Sequence, residues 1–168
     1  MAVFRTITLL LAATLTSACE PDIIGPDTSL EELPSGLRVA LTVEPAIVSV
    51  YEPFTVRLDI TNTTTGTLEV VTAHGCLTIP NVMRNGTRIP FEGSWWGCTA
   101  AITRHVFVPG ETRTRVWEMR AQLYAEHPGD RDGAPAPPGV YSVQAEFDTY
   151  SENGPNVKPA IERALVVR

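Results

Sequence analysis

The run "PFTVRLDITN", residues 53–62, constrains the fold of this chain more than any other segment. Its even positions from 54 to 60 carry the apolar residues Phe54, Val56, Leu58 and Ile60. Because successive side chains of a β-strand point to opposite faces, the run predicts a strand with one buried face and one solvated face. A solvated face is typical of antiparallel sheets, and the polar turn sequence "NTTTGT" follows.

Similar runs recur from Leu37 to the end of the chain and are separated by turn sequences. The segment "RNGT" predicts a hairpin turn, and the 14 prolines and 12 glycines break the chain often. About nine short strands joined by turns favour an all-β fold, a single antiparallel β-sandwich over residues 37–168. Two runs, "TRVWEMRAQL" and "ERALVV", also have helical propensity, but their strand-rich surroundings favour strands.

The first 18 residues differ from the rest of the chain. "MAVFR" carries one positive charge, "TITLLLAATLT" is apolar, and the small residues Ser17 and Ala18 follow. This order predicts a secretory signal peptide over residues 1–18. "LTSAC" resembles a bacterial lipobox, although Thr16 stands where that motif usually has leucine. The resemblance implies cleavage before Cys19 and acylation of its thiol; ordinary cleavage that leaves a free Cys19 is the alternative.

A lipidated Cys19 predicts that the protein is anchored to a membrane of the bacterial cell envelope and exposed outside the cytoplasm. Residues 20–36 are rich in proline, glycine and acidic side chains, so we expect residues 19–36 to form a lipidated tether. The net charge of −6 gives the chain no electrostatic reason to bind nucleic acid.

Cys76 and Cys98 are the two thiols that remain if Cys19 is acylated. In an exported protein such a pair predicts a disulfide bond. Two alternatives stay open. One is a pair of free thiols, and the other is a metal site that uses His74 and His105 as further ligands. We expect no cofactor and no catalytic residues, because no nucleophile, base and acid stand in a recognisable order.

The order of several motifs resembles the BsuPI-type proteinase inhibitor domain. These motifs are "NGTRIPF", "FVPGET", Trp117 and "PPGVYSVQAEF". The earlier segment "EPFTVRLDITNTTTGTLEV" resembles the second and third strands of immunoglobulin-like domains common in bacterial envelope proteins. The resemblance covers residues 37–168 and implies an immunoglobulin-like β-sandwich. It also implies that proteinase inhibition is one candidate activity.

Taken together, the sequence predicts a non-enzymatic envelope lipoprotein whose immunoglobulin-like domain binds or supports another macromolecule. A protease is one candidate partner, and a metal-binding accessory role is the other alternative. Trp95 and Trp96 are candidate contact residues because exposed tryptophans are common at protein interfaces. Pro135 and Pro137, in the loop "DGAPAPPG", are the other candidates.

Overall fold

The computed structural model of the protein describes residues 28–33, 36–94, 97–124, 133–147 and 160–168. Regular secondary structure in these residues consists of β-strands, and two five-stranded sheets enclose one hydrophobic core. A separate two-stranded ribbon accompanies the sheets. The predicted all-β sandwich is confirmed. The described part of the chain contains no helix that could traverse a lipid bilayer.

The strand order is that of an immunoglobulin-like sandwich. Neighbouring strands pair antiparallel, except that the second sheet begins with one parallel pair. The first sheet contains, in spatial order, β1 (Thr28–Glu32), β2 (Leu37–Glu44), β4 (Pro53–Asn62), β10 (Thr112–Leu123) and β8 (Phe91–Glu92). The second contains β3 (Ile47–Val48), β12 (Ala160–Val167), β11 (Gly139–Glu146), β6 (Ile79–Arg84) and β7 (Thr87–Arg88). The ribbon consists of β5 (Leu68–Thr72) and β9 (Thr103–Phe107). The order β2-β4-β10-β8 opposite β12-β11-β6 matches strands A-B-E-D opposite G-F-C of immunoglobulin domains.

Strand β4 lies at the centre of the first sheet and behaves as its alternation predicts. The apolar side chains at positions 54, 56, 58 and 60 are all buried. Across the core, Phe91 joins the two sheets through edge-on ring contacts. Its centroid lies 6.1 Å from that of Phe54 in the first sheet and 5.1 Å from that of Tyr141 in the second.

The turn between β6 and β7 is the hairpin that "RNGT" predicts. Asn85 and Gly86 have φ values of 51° and 76°. Positive φ at both central residues defines a type I′ turn, whose twist matches that of the paired strands.

Tyr141, near the start of β11, fixes the chain that enters this strand. Its hydroxyl donates a hydrogen bond of 2.5 Å to the carbonyl oxygen of Pro137 and accepts one of 3.3 Å from Arg84. This is the tyrosine corner of immunoglobulin-like domains. Arg84 also donates to the carbonyl of Pro138, and its guanidinium lies 5.2 Å from the Tyr141 ring centroid. Glycine at position 139 leaves room for this arginine, because a Cβ there would come within 2.7 Å of it.

The tether predicted over residues 19–36 is wrong for residues 28–32. These residues form β1, which pairs with β2 from Thr28 opposite Thr42 to Glu32 opposite Arg38. The segment has little apolar periodicity, so its own sequence does not predict a strand. It forms one because the edge of β2 is open for pairing. The Ser29 hydroxyl also donates to the carbonyl of Glu162 in the other sheet. Cys19 and the predicted signal peptide lie outside the described residues.

The two ends of the sandwich carry different features, and we name them accordingly. The ribbon pole is the end at which β4 finishes and β10 begins, where Thr61 pairs with Thr112. The entry pole is the opposite end, which holds the start of β1 at Thr28 and the turn at residues 85–86. Strand β4, with ten residues, sets the distance between the poles at about 33 Å.

Candidate functional site

A disulfide bond joins Cys76 to Cys98 at the ribbon pole. The sulfur atoms are 2.01 Å apart and the two Cα atoms 5.5 Å apart. The bond connects the segment between β5 and β6, which contains Cys76, to the segment between β8 and β9, which contains Cys98. The predicted disulfide is therefore confirmed, and the open alternatives of free thiols and of thiolate metal ligands at these positions are wrong. The described residues contain no group of three or more His, Cys, Asp or Glu side chains able to hold a metal ion.

The β5–β9 ribbon is attached to the sandwich by the buried side chain of Asn62. Its amide nitrogen donates to the carbonyl oxygens of Gly66 at 2.8 Å and Phe107 at 3.0 Å. Its amide oxygen accepts hydrogen bonds from the backbone and the hydroxyl of Thr64. A buried asparagine that satisfies both ends of its amide fixes the turn after β4 and the end of β9 at the same time.

Thr72, His74 and His105 form a short polar chain on the ribbon. The Thr72 hydroxyl donates to the carbonyl of His74 at 2.5 Å, and it lies 3.1 Å from Nε2 of His105. Because the hydroxyl proton is already committed, Nε2 of His105 is the donor in the second contact. Burial lowers the pKa of His105, and the nearby charges of Arg113, Arg115 and His74 lower it further. The imidazole is therefore held neutral, with Nδ1 as its remaining basic nitrogen.

A cleft of about 260 Å³ opens at the ribbon pole between the disulfide-bonded segment and β10. Its apolar wall includes the buried side chains of Ile60 and Trp117 together with Leu77. Its polar wall carries Arg113, Arg115 and His105. Arg113 and Arg115 stand opposite the inward residues Ile60 and Leu58 of β4, so both project on the inner side of the sheet. They reach solvent because the described residues of the second sheet do not fully cover the inner face at this end.

The two arginines of the cleft differ in their surroundings. Arg113 forms a 2.7 Å ion pair with Glu111, donates to the carbonyl of Val106, and places its guanidinium 4.3 Å from the ring centroid of Phe107. The hydrogen bond from Arg113 lowers the pKa of Glu111, and a bond from the backbone of Val108 adds to the effect. Arg115 is exposed and forms no ion pair with the residues described.

The structure describes two of the four predicted contact residues. Pro135 and Pro137 are exposed and lie at the entry pole, where Pro135 forms a bridge with Gln122 near the end of β10. They lie toward the opposite end of β10 from the cleft that Cys76 lines. Trp95 and Trp96 lie outside the described residues.

Arg113 and Arg115 were not among the site residues predicted from the sequence. A local signal was present, since the two arginines continue the inward alternation of Trp117 and Met119 in "TRTRVWEM". Arginine at two successive inward positions of a strand indicates a place where the opposing sheet leaves the core open. Their meeting with His105 depends on strand pairing between distant segments.

The known proteins to which this chain is similar are solved structures. No protein-family model and no curated protein matches the sequence. A β-glucosidase from Erythrobacter marinus is 14% identical over 84% of this chain, with a TM-score of 0.43. A β-glucosidase from Listeria innocua in complex with gluconolactone is 15% identical over 83% of this chain, with a TM-score of 0.39. The chain spans 16% of the length of each of these two enzymes.

A CARDB domain from Pyrococcus furiosus, solved in complex with di-metal ions, is also similar. It is 14% identical over 79% of this chain and 94% of its own length, with a TM-score of 0.38. Identities this low leave the activity of the present chain open.

Proposed function

We propose that this protein is a non-enzymatic lipoprotein of the bacterial cell envelope whose immunoglobulin-like domain binds another macromolecule through its ribbon pole. The observation that carries the proposal is the direction of β1. Its first residue, Thr28, pairs with Thr42 near the entry pole, and its last, Glu32, pairs with Arg38 toward the ribbon pole. A chain anchored at Cys19 therefore joins the domain at the end opposite the cleft and the disulfide.

The length of the segment before β1 and the length of the sandwich give the distance of each pole from an anchor at Cys19. Residues 20–27 separate Cys19 from β1, and eight residues span at most about 28 Å when fully extended. The sandwich adds about 33 Å between its poles. The anchor would thus hold the entry pole close to the membrane and present the ribbon pole to the surroundings.

Binding is favoured over catalysis by the way polar groups near this pole are used. The Thr72 hydroxyl donates to a backbone carbonyl, and His105 is bonded to that threonine. Groups engaged with the backbone brace the pole, whereas a nucleophile would need a free hydroxyl beside a base.

Site-specific photocrosslinking in intact cells tests the proposal. A photoreactive amino acid would replace Val108, whose side chain is 54% exposed in the turn between β9 and β10 at the ribbon pole, or Asn85, which is exposed at the entry pole. We expect protein adducts from position 108 and not from position 85. Equal crosslinking from both positions would contradict binding through the ribbon pole. Fatty-acid labelling of wild type, with C19S as the control, tests the anchor separately.

A proteinase inhibitor of the BsuPI type is the second candidate. The tyrosine corner supports it, because Pro137 and Tyr141 belong to the motif "PPGVYSVQAEF" on which the resemblance depends. The mature chain would be titrated against a panel of serine proteases. Inhibition lost on substituting Pro135 and Pro137 would place the inhibitory surface at the entry pole. Full protease activity at micromolar protein would remove this candidate.

A further inference from the structure

We propose that the cleft at the ribbon pole binds a carboxylate carried on an apolar body, such as the C-terminal residue of a polypeptide. This inference rests on the proposed function, because it names the chemistry by which the ribbon pole would recognise its partner. Three features of the cleft support it: its charge, its apolar wall and its size.

The charge of the cleft is positive although the chain as a whole is negative. The lining includes Arg113 and Arg115, and no aspartate or glutamate belongs to the described lining. Glu111 offsets the charge of Arg113 through their ion pair. Among the described residues of the lining, the guanidinium of Arg115 then remains as the cation available to a ligand. Arginine presents several N–H donors in a planar fork that matches the two oxygens of a carboxylate.

The opposite wall of the cleft favours an apolar body next to that anion. Ile60 and Trp117 are buried members of the core, and Leu77 packs against the same core. A ligand that covers these side chains removes further apolar surface from water, which favours binding. The volume of about 260 Å³ is slightly below the about 300–1,000 Å³ usual for small-molecule sites, so a single residue-sized group fits best.

His105 provides a second readout of the same event. Its Nε2 is engaged with Thr72, so a proton taken up by the ring goes to Nδ1. Arg113 and Arg115 on β10 and His74 after β5 oppose that positive charge. A carboxylate beside Arg115 would offset their effect and raise the pKa of His105. Binding should then strengthen as the pH falls through the titration of this histidine.

The experiment uses the mature chain, residues 19–168, carrying C19S, and follows ligand titrations by NMR. The probe is N-acetyl-leucine, and its matched control is N-acetyl-leucinamide, which has the same body without the charge. We expect the amide to bind at least about tenfold more weakly, because it cannot form the charged hydrogen bond that the carboxylate forms. Arg115→Gln should weaken binding of the acid by a similar factor. Arg88→Gln, which removes an exposed arginine of β7, should leave it unchanged.

Two further probes separate the sources of the carboxylate. Tighter binding of a short peptide ending in leucine than of 4-methylpentanoate would identify a polypeptide C-terminus, and the reverse order would identify a free acid. Equal affinity for acid and amide, or no shifts in the residues of the cleft, would overturn the inference. Binding of inorganic phosphate without N-acetyl-leucine would also overturn it.

Failure of the inference remains distinguishable from failure of the proposed function. If the ribbon pole still crosslinks to a partner while N-acetyl-leucine does not bind, only the carboxylate chemistry is wrong. If neither occurs, binding through the ribbon pole is wrong as well.

Discussion

Removing the disulfide should lower the free energy of unfolding by about 3.4 kcal/mol at 25 °C. The change is the double substitution Cys76→Ser and Cys98→Ser, which opens a loop with a sequence separation of 22 residues. In the chain-entropy model the bond stabilises by restricting the unfolded chain, with an entropy term of about 2.1 + 1.5R ln n cal/mol/K for n residues in the loop. Both cysteines are only half buried, so serine at either position removes little packing.

Equilibrium unfolding in urea, followed by tryptophan fluorescence, measures the effect. With an m value of about 2 kcal/mol/M, the expected loss moves the transition midpoint down by about 1.7 M. The m value should also rise, because the unfolded chain without the crosslink exposes more surface. For a domain of this size the melting temperature should fall by about 7–14 °C.

The control is wild-type protein unfolded in the presence of a reductant. It keeps both sulfur atoms but lacks the bond, so its stability should match that of the double variant. A loss below about 1 kcal/mol in both samples would refute the reasoning, because it would mean that the unfolded state gains little freedom when this loop opens. A loss confined to the serine variant would point to packing of the sulfur atoms instead.

Three other perturbations test separate features. Tyr141→Phe removes the donor to the Pro137 carbonyl and should lower the free energy of unfolding by about 1–2 kcal/mol in urea; an unchanged value would contradict the role of the corner. Gly93→Ala should destabilise more than Gly86→Ala in thermal melts. Both glycines have positive φ, but only at 93 would a Cβ overlap the backbone of β10; equal losses would contradict this. The pKa of His105 in the folded state is lower than its ordinary value of 6.5. As the pH falls through about 6.5, the unfolded state therefore binds more protons than the folded state. Wild type should therefore lose stability between about pH 7.5 and 5.5, and His105→Gln should lose less; identical slopes would contradict the pKa direction.

The sequence was sufficient to predict those parts of the fold that depend on local pattern. The alternation in residues 53–62 identifies β4 and its inward face, and the dipeptide Asn85-Gly86 identifies the hairpin. Cysteine count and the predicted signal peptide together predict the disulfide. Each of these signals is complete within a few residues, or needs only the prediction that the chain is exported.

Features that arise from distant pairing were missed. "TSLEE" has the composition of a tether, and it becomes β1 because the edge of β2 is open to it. The polar wall of the cleft combines β9 and β10, and Asn62 at the end of β4 holds the end of β9 and the turn at Gly66 in place. No local window shows that His105 will face Arg113 and Arg115, since their approach depends on the register of the ribbon and of the first sheet.

The parallel pairing of β3 with β12 has a practical consequence for immobilisation. Val167 lies opposite Val48, and the amide of Arg168 donates to the Val48 carbonyl, so Arg168 lies at the entry pole. A biotin or linker attached after Arg168 would extend from the entry pole, the same end at which the chain enters β1 at Thr28. A biosensor surface coated in this way would display every molecule in one orientation, with its cleft facing the analyte.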